Sequence, residues 1–281
     1  MLEIGNYNIL EAQKFVGFGA YLKDPESGET VLLPQKYVSE DLKVGDSIEV
    51  FVYLDSEDRK VATTLHPFGK VNEIVNLLCV GNSSIGAFLD WGLEKDLFVP
   101  FKHQQQRMRK NEHYVVKILY DEVSGRLLGS NAFGRILHGD IAKVKPNDMM
   151  ELIVYGENDR GFQVIGNSQY MGMIYKNQIF QELAIGDSVS GYVAKVREDG
   201  KIDFTLRKSG FDGVAAQKER VLEIMSAAPG GRMDINSKTP PEKIYELFNM
   251  SKKTFKQIAG MLYKERKIAI HDDFMEVLKE K

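Results

Sequence analysis

Between residues 88 and 126 the chain brings together the two kinds of side chain that hold a nucleic-acid strand without reading its sequence. Phe88, Trp91 and Phe98 offer flat rings on which bases can stack. The stretch FKHQQQRMRK adds Lys102, His103, Arg107, Arg109 and Lys110, and Lys117 and Arg126 follow, as partners for phosphates. Single-strand binding uses this combination because every base has a π-face and every phosphate a charge. The spacing leaves two readings open. Alternate residues of a strand point inward, so Phe88 and Phe98 could equally belong to a core. A basic loop could equally be a solvated one.

A second set lies further on, where Arg160, Phe162, Tyr170, Tyr175, Lys176, Lys195 and Arg197 again mix rings with cations. Phe18 and Tyr21 hold comparable positions near the start of the chain. Charge argues against that first region. Residues 1–66 carry a net charge of −6, residues 67–140 +1, residues 141–208 zero and residues 209–281 +2. The overall −3 is therefore an acidic first quarter, which is the poorest place to hold a phosphate backbone. Near the other end, Lys252, Lys253, Lys256 and Gln257 open an expected helix, and Lys264, Arg266 and Lys267 close it. Of the first four, residues 253, 256 and 257 can share one stripe. A solvated polar face is the plainer alternative for them.

Enzymatic signals are absent. The five histidines, His66, His103, His113, His138 and His271, show no metal-ligand spacing with a cysteine or carboxylate. No phosphate-binding GxxxxGK[ST] loop, GxSxG elbow or HExxH helix occurs. In GRILHGD the histidine reads as a structural residue of a linker, because no second carboxylate accompanies it. No cofactor or metal is expected. The single cysteine, Cys79, sits in VNLLCV and reads as a small buried hydrophobe in a reducing compartment. With no apolar run of membrane-spanning length and no targeting pattern at its start, the chain is expected in the cytoplasm, away from membranes, as a monomer.

The elements that must position these residues follow one pattern written three times. The first copy reads GAYL, KDPESGET, VLLP and then VGDSIEVFVYLDSEDRKVATT. In the second the order is GAFL, DWGLEKD, LFVP and then EHYVVKILYDEVSGRLLGS. The third has GFQV, IGNSQYM, GMIY and IGDSVSGYVAKVREDGKIDFTL, with Gln163 where the second has Phe88. Ile48, Val50 and Val52 alternate, as do Tyr114, Val116 and Ile118, which is the period of a half-buried strand. The turns DSEDRK, DEVSGR and REDGK carry hairpin residues. AQKFVGF, FGKVNEIVNLLCV and MMELIVY supply a leading strand to each copy. Five short strands in so few residues fit a small closed Greek-key barrel of the OB type, and closure removes exposed edges.

This order resembles the S-one-type (S1) RNA-binding domain, most clearly in IGAFLDWGLEKDLFVP and VKILYDEVSGRLLGS. From Phe211 the pattern turns helical. DGVAAQKERVLEIMSAA places Val214, Val221, Leu222 and Met225 on one face. TPPEKIYELF follows, with Thr239 as N-cap and proline in the first turn. Next comes MSKKTFKQIAGMLYKERK, with Ser251 as N-cap and Phe255, Ile258, Ala259 and Leu262 inward. IAIHDDFMEVL then reads as two strands, completing the order of a winged helix. The expected architecture is a mainly β multidomain protein: OB-type barrels at 1–66, 67–140 and 141–208, and an α/β winged-helix domain at 209–281. The whole arrangement resembles the bacterial conserved virulence factor B family. That resemblance implies single-stranded RNA binding and post-transcriptional regulation of genes, virulence genes in pathogens among them. Two other readings stay open: a transcription regulator holding duplex DNA through the winged helix, and a scaffold contacting ribosomal or other proteins.

Overall fold

The computed structural model describes residues 1–179, 181–207, 211–236 and 238–278, with the backbone alone for Asn177 and residues 211–216. The first barrel is built from β1 (Asn6–Val16), β2 (Gly19–Lys23), β3 (Thr30–Pro34), β4 (Ser47–Leu54) and β5 (Lys60–Thr63), closed in the order β1-β2-β3-β5-β4. Its long first strand bends at a bulge between Ala12 and Lys14, which lets it pair with both β2 and β4. The second barrel comprises β6 (Ile74–Asn82), β7 (Gly86–Asp90), β8 (Leu97–Pro100), β9 (His113–Asp121) and β10 (Arg126–Ser130). A short helix, α1 (Phe133–Ile136), leads to the third barrel. That barrel contains β11 (Met149–Asn158), β12 (Gly161–Gly166), β13 (Tyr170–Tyr175), β14 (Ser188–Val196) and β15 (Ile202–Thr205), closed like the first.

The second barrel departs from the expected closure. Its ladder is an open sheet, β10-β9-β6-β7-β8. The two edges meet through side chains instead. A Cβ on Gly129 of β10 would lie 2.8 Å from a Val99 methyl and 3.1 Å from a Leu97 methyl of β8.

The glycine that opens the same strand in every copy has a steric cause. A Cβ at Gly19, Gly86 or Gly161 would stand 2.1, 2.4 or 2.0 Å from the carbonyl oxygen of Leu33, Val99 or Ile174 across the pair. No side chain fits at that distance, so the barrel can narrow there only with glycine.

The last module contains α2 (Phe211–Ala227), β16 (Arg232–Met233), α3 (Pro241–Phe248), α4 (Lys252–Lys264), β17 (Ile268–Ile270) and β18 (Met275–Val277). The strands form a sheet in the order β16-β18-β17, so Arg232–Met233 is a third strand that the sequence did not suggest. Val221 and Met225 of α2 and Phe255, Ile258, Ala259 and Leu262 of α4 are buried together, as their spacing predicts. The side chain of Val214, and the 208/209 junction between modules, lie outside the described residues. Ser251 caps α4, its hydroxyl accepting from the Thr254 amide at 3.1 Å. Thr239 does not cap α3. Pro240 takes that position and has no side-chain acceptor to offer, while the Thr239 hydroxyl accepts from the Asn236 amide at 2.8 Å. The fixed φ of two successive prolines starts this helix in place of a cap.

The modules are joined by packing. In β4 both faces are buried: Val50 and Val52 enter the first barrel's core, and Phe51 and Tyr53 enter the core of the second. Tyr7, Phe51 and Trp91 form a chain of edge-on rings, with centroids 5.3 and 5.8 Å apart. The second and third barrels meet around Val115, Phe133 and Ile165. The third barrel reaches the winged helix where Arg207 donates to the Asn249 carbonyl at 3.3 Å.

Candidate nucleic-acid interface

The junction of the first two barrels leaves a cleft of about 380 Å³, lined on one side by the outer face of β7 and β8 and on the other by the β4–β5 hairpin. Strand alternation decides which rings face it. In β7, Ala87 and Leu89 point into the barrel, so Phe88 points out; in β8, Leu97 and Val99 point in, so Phe98 points out. The register sets Phe88 directly opposite Phe98, and their rings lie 5.2 Å apart at 40°. Both are half-buried and line the cleft. The equivalent cross-strand pair is Tyr21 and Leu32 in the first barrel and Gln163 and Met173 in the third. Of the three registers, the second barrel's alone places two aromatic rings face outward together.

Of the expected cations after β8, Lys102 borders that pair, and Arg107 and Arg109 lie further along the same segment. Lys102, just after β8, is exposed and lines the cleft. Arg107 is exposed, and its guanidinium carbon lies over the Phe101 ring, 3.2 Å from the centroid, a cation–π contact that restrains a flexible side chain. Arg109 is exposed, 4.0 Å from the Glu112 carboxylate. His103 is half-buried behind them; burial, and then the Lys102 charge, hold its imidazole below the ordinary histidine range. It therefore adds no cation near neutral pH.

Arg126 also lines the cleft, but its guanidinium is ion-paired with Asp58 of the facing hairpin. Lys95 approaches the same carboxylate at 3.7 Å and donates to the Asp55 carbonyl at 2.5 Å. Asp58 is accordingly held below the usual carboxylate range, chiefly by its bond from Arg126. Asp96 lines the cleft as well, its carboxyl pushed up by burial and by the neighbouring Asp90.

Two residues expected to present themselves at this face do not: Trp91 lines the cleft but is buried, and Lys117 lies elsewhere. Trp91 is 2% exposed, part of the joint core of the two barrels, and its indole N–H donates to the Lys95 carbonyl at 2.6 Å. It supports the cleft from beneath and offers no face to a base. Lys117 does not line the cleft. It shares a face of β9 with Val115, which packs against Phe133 and Ile165, and desolvation there lowers its ammonium pKa.

In the third barrel the expected set is spread out. Phe162 follows the narrow glycine and packs on the barrel core. Arg197 bonds the Asp203 carboxylate at 2.7 Å and the Tyr175 hydroxyl, so its donors are engaged within the barrel. Lys176 pairs with Glu157 at 3.0 Å, while Arg160 and Lys195 are exposed. Tyr170 packs against the barrel core. In the first barrel, Phe18 is 59% exposed beside Tyr21, whose ring lies 4.8 Å from the Lys14 ammonium. On α4, Lys253, Lys256 and Gln257 are exposed on one stripe, and Lys252 is half-buried. Lys264, Arg266 and Lys267 are exposed at and beyond its end.

Sequence reasoning missed the wall supplied by the first barrel: Tyr53, Leu54, Ser56 and Asp58. A signal was present. SIEVFVYL is apolar at both parities from Val50 onward, which marks a strand covered on both faces.

Comparison with known proteins agrees with this architecture. Residues 4–65 match the S1 domain family, and residues 219–276 match the CvfB-like winged helix domain. Both are nucleic-acid-binding types of domain, and the protein is a nucleic-acid-binding one on that ground. A multidomain protein with nucleic acid binding domains from Streptococcus pneumoniae TIGR4 aligns over 98% of both chains at 21% identity, with a TM-score of 0.43. Conserved virulence factor B of Staphylococcus aureus strain N315 is 24% identical, covering 95% of this chain and 91% of its own. YitL of Bacillus subtilis strain 168 is 30% identical over 258 residues, 89% of this chain and 86% of its own. With barrels, winged helix and near full-length similarity together, the chain belongs to the family of YitL and conserved virulence factor B.

Proposed function

We propose that the protein binds single-stranded RNA in the cytoplasm as a monomer, through the cleft between its first two barrels, and regulates gene expression after transcription. The observation that carries this reading is the Phe88–Phe98 pair, outward and side by side, with Lys102 lining the same cleft. Two adjacent rings accept bases of any identity by stacking, and the cations follow the backbone. A duplex, whose bases are already stacked on one another, offers those rings no free base face. The staphylococcal relatives are called virulence factors, and by analogy the regulated genes of a pathogen would include virulence genes. Fluorescence polarisation with one labelled RNA sequence, single-stranded or annealed, and with the matching DNA duplex tests the reading. Preference for the single strand supports it, and equal or better binding of duplex DNA defeats it.

A second reading rests on the winged helix. Lys253, Lys256 and Gln257 form an exposed stripe on the helix that in such folds enters a duplex groove. Sequence-dependent duplex binding lost on replacing these three residues would favour a transcription regulator. The third reading, a scaffold for ribosomal proteins, predicts co-purification that survives ribonuclease.

A further inference from the structure

The acidic first barrel has a place in this site despite its charge. Its β4–β5 turn projects Asp58 across the cleft, where one carboxylate meets Arg126 and stands 3.7 Å from Lys95. Both cations belong to the second barrel and border the cleft that holds the aromatic pair. The arrangement is that of an anion held between a guanidinium and an ammonium, which is also how a phosphate is held. We infer that the Asp58 carboxylate is an intramolecular stand-in for a backbone phosphate, so that RNA entering the cleft must displace it to engage Arg126 and Lys95. This inference rests on the cleft being the RNA site.

The energetics allow the exchange. The Arg126 and Asp58 side chains are 60% and 38% exposed, and partly exposed ion pairs are held weakly and reopen readily. The turn does not depend on the pair. Asp55, not Asp58, holds it, its carboxylate accepting from the Glu57 and Arg59 amides at 2.9 and 3.0 Å. Asp58 itself has φ 60°, a conformation that asparagine tolerates as well as aspartate. The Asp58 carboxylate would thus lower affinity and make binding less salt-sensitive. Salt weakens the internal pair along with the RNA contact, so fewer counterions are released in exchange.

Asp58→Asn in the full chain, titrated with a labelled single-stranded RNA across a salt series, tests this. Affinity should rise roughly two- to five-fold at moderate salt, the scale of one freed surface charge pair. The slope of log K against log salt should steepen by roughly 0.7 for each phosphate newly contacted. Adding Arg126→Gln should remove the gain, and an unchanged melting temperature should show the fold intact. Affinity and slope equal to or below those of the parent, with Phe88→Ala still weakening binding, would overturn the inference and leave the RNA site standing. Should Phe88→Ala bind as tightly as the parent, the site and the inference fall together.

Discussion

Replacing Phe51 by alanine removes a ring that is fully buried between two barrels. The ring lies edge-on to Tyr7 at 5.3 Å and to Trp91 at 5.8 Å, with no solvent-exposed surface. Loss of its transfer energy and the cavity left behind cost about 3–5 kcal/mol for a buried phenylalanine. Because the core is shared by both barrels, the cost falls on their joint unfolding. For a unit of that size, this lowers the melting temperature by roughly 10 °C or more. The chain carries its own probe, since Trp91 is the single tryptophan. In the parent its indole is 2% exposed and hydrogen-bonded to the Lys95 carbonyl, so emission should be that of a buried ring. In Phe51→Ala the emission should shift to the red, quenching by acrylamide should increase, and the fluorescence and far-ultraviolet transitions should both move down. A parent protein whose tryptophan is already open to quencher would refute the shared core. So would a Phe51→Ala protein with unchanged emission and stability.

Tyr53 tests the same joint by pH. Burial pushes its hydroxyl up to about 12, while an unfolded tyrosine titrates near 10. A raised folded value means that its stabilising share is complete below pH 10 and is lost as pH rises through 12. Trp91 fluorescence should therefore report loosening of the joint in that alkaline window, and Tyr53→Phe should remove this component. Arg107→Ala should weaken single-stranded RNA binding a few-fold and make the salt slope shallower by roughly 0.7, the share of one phosphate. Replacing Lys253, Lys256 and Gln257 together by alanine should leave binding of a short single-stranded RNA within two-fold or so of the parent, since α4 lies in a separate module; it should abolish any duplex binding the protein shows.

Much of the architecture was legible because its determinants are local. Strand alternation, the turn residues and the helical spacing of Phe255, Ile258, Ala259 and Leu262 each follow from a few neighbouring residues. The repeated glycine was visible as a pattern, and the structure supplies its cause, a carbonyl oxygen within about 2 Å of the missing Cβ. What was not legible depends on contacts between modules. Trp91 reads as a surface ring because nothing near it in sequence reveals Phe51, forty residues earlier and on another barrel. Lys117 reads as a binding cation because the third barrel that covers its face is distant in sequence. Thr239 reads as a cap, and the second of the two prolines after it moved the helix start one residue on. For Phe88 and Phe98 alternation alone left the direction open, and only the burial of Ala87, Leu89, Leu97 and Val99 shows both facing out.

Those two rings are the surface proposed to hold bases. Titrating the Phe88→Ala/Phe98→Ala protein with a labelled single-stranded RNA, beside the parent, is the most direct measurement. Stacking is worth about 1–3 kcal/mol per base, so the double variant should bind at least ten-fold more weakly while keeping its melting temperature and its salt slope. Affinity equal to the parent's, in a protein that is folded, would contradict the account and move the site away from the cleft.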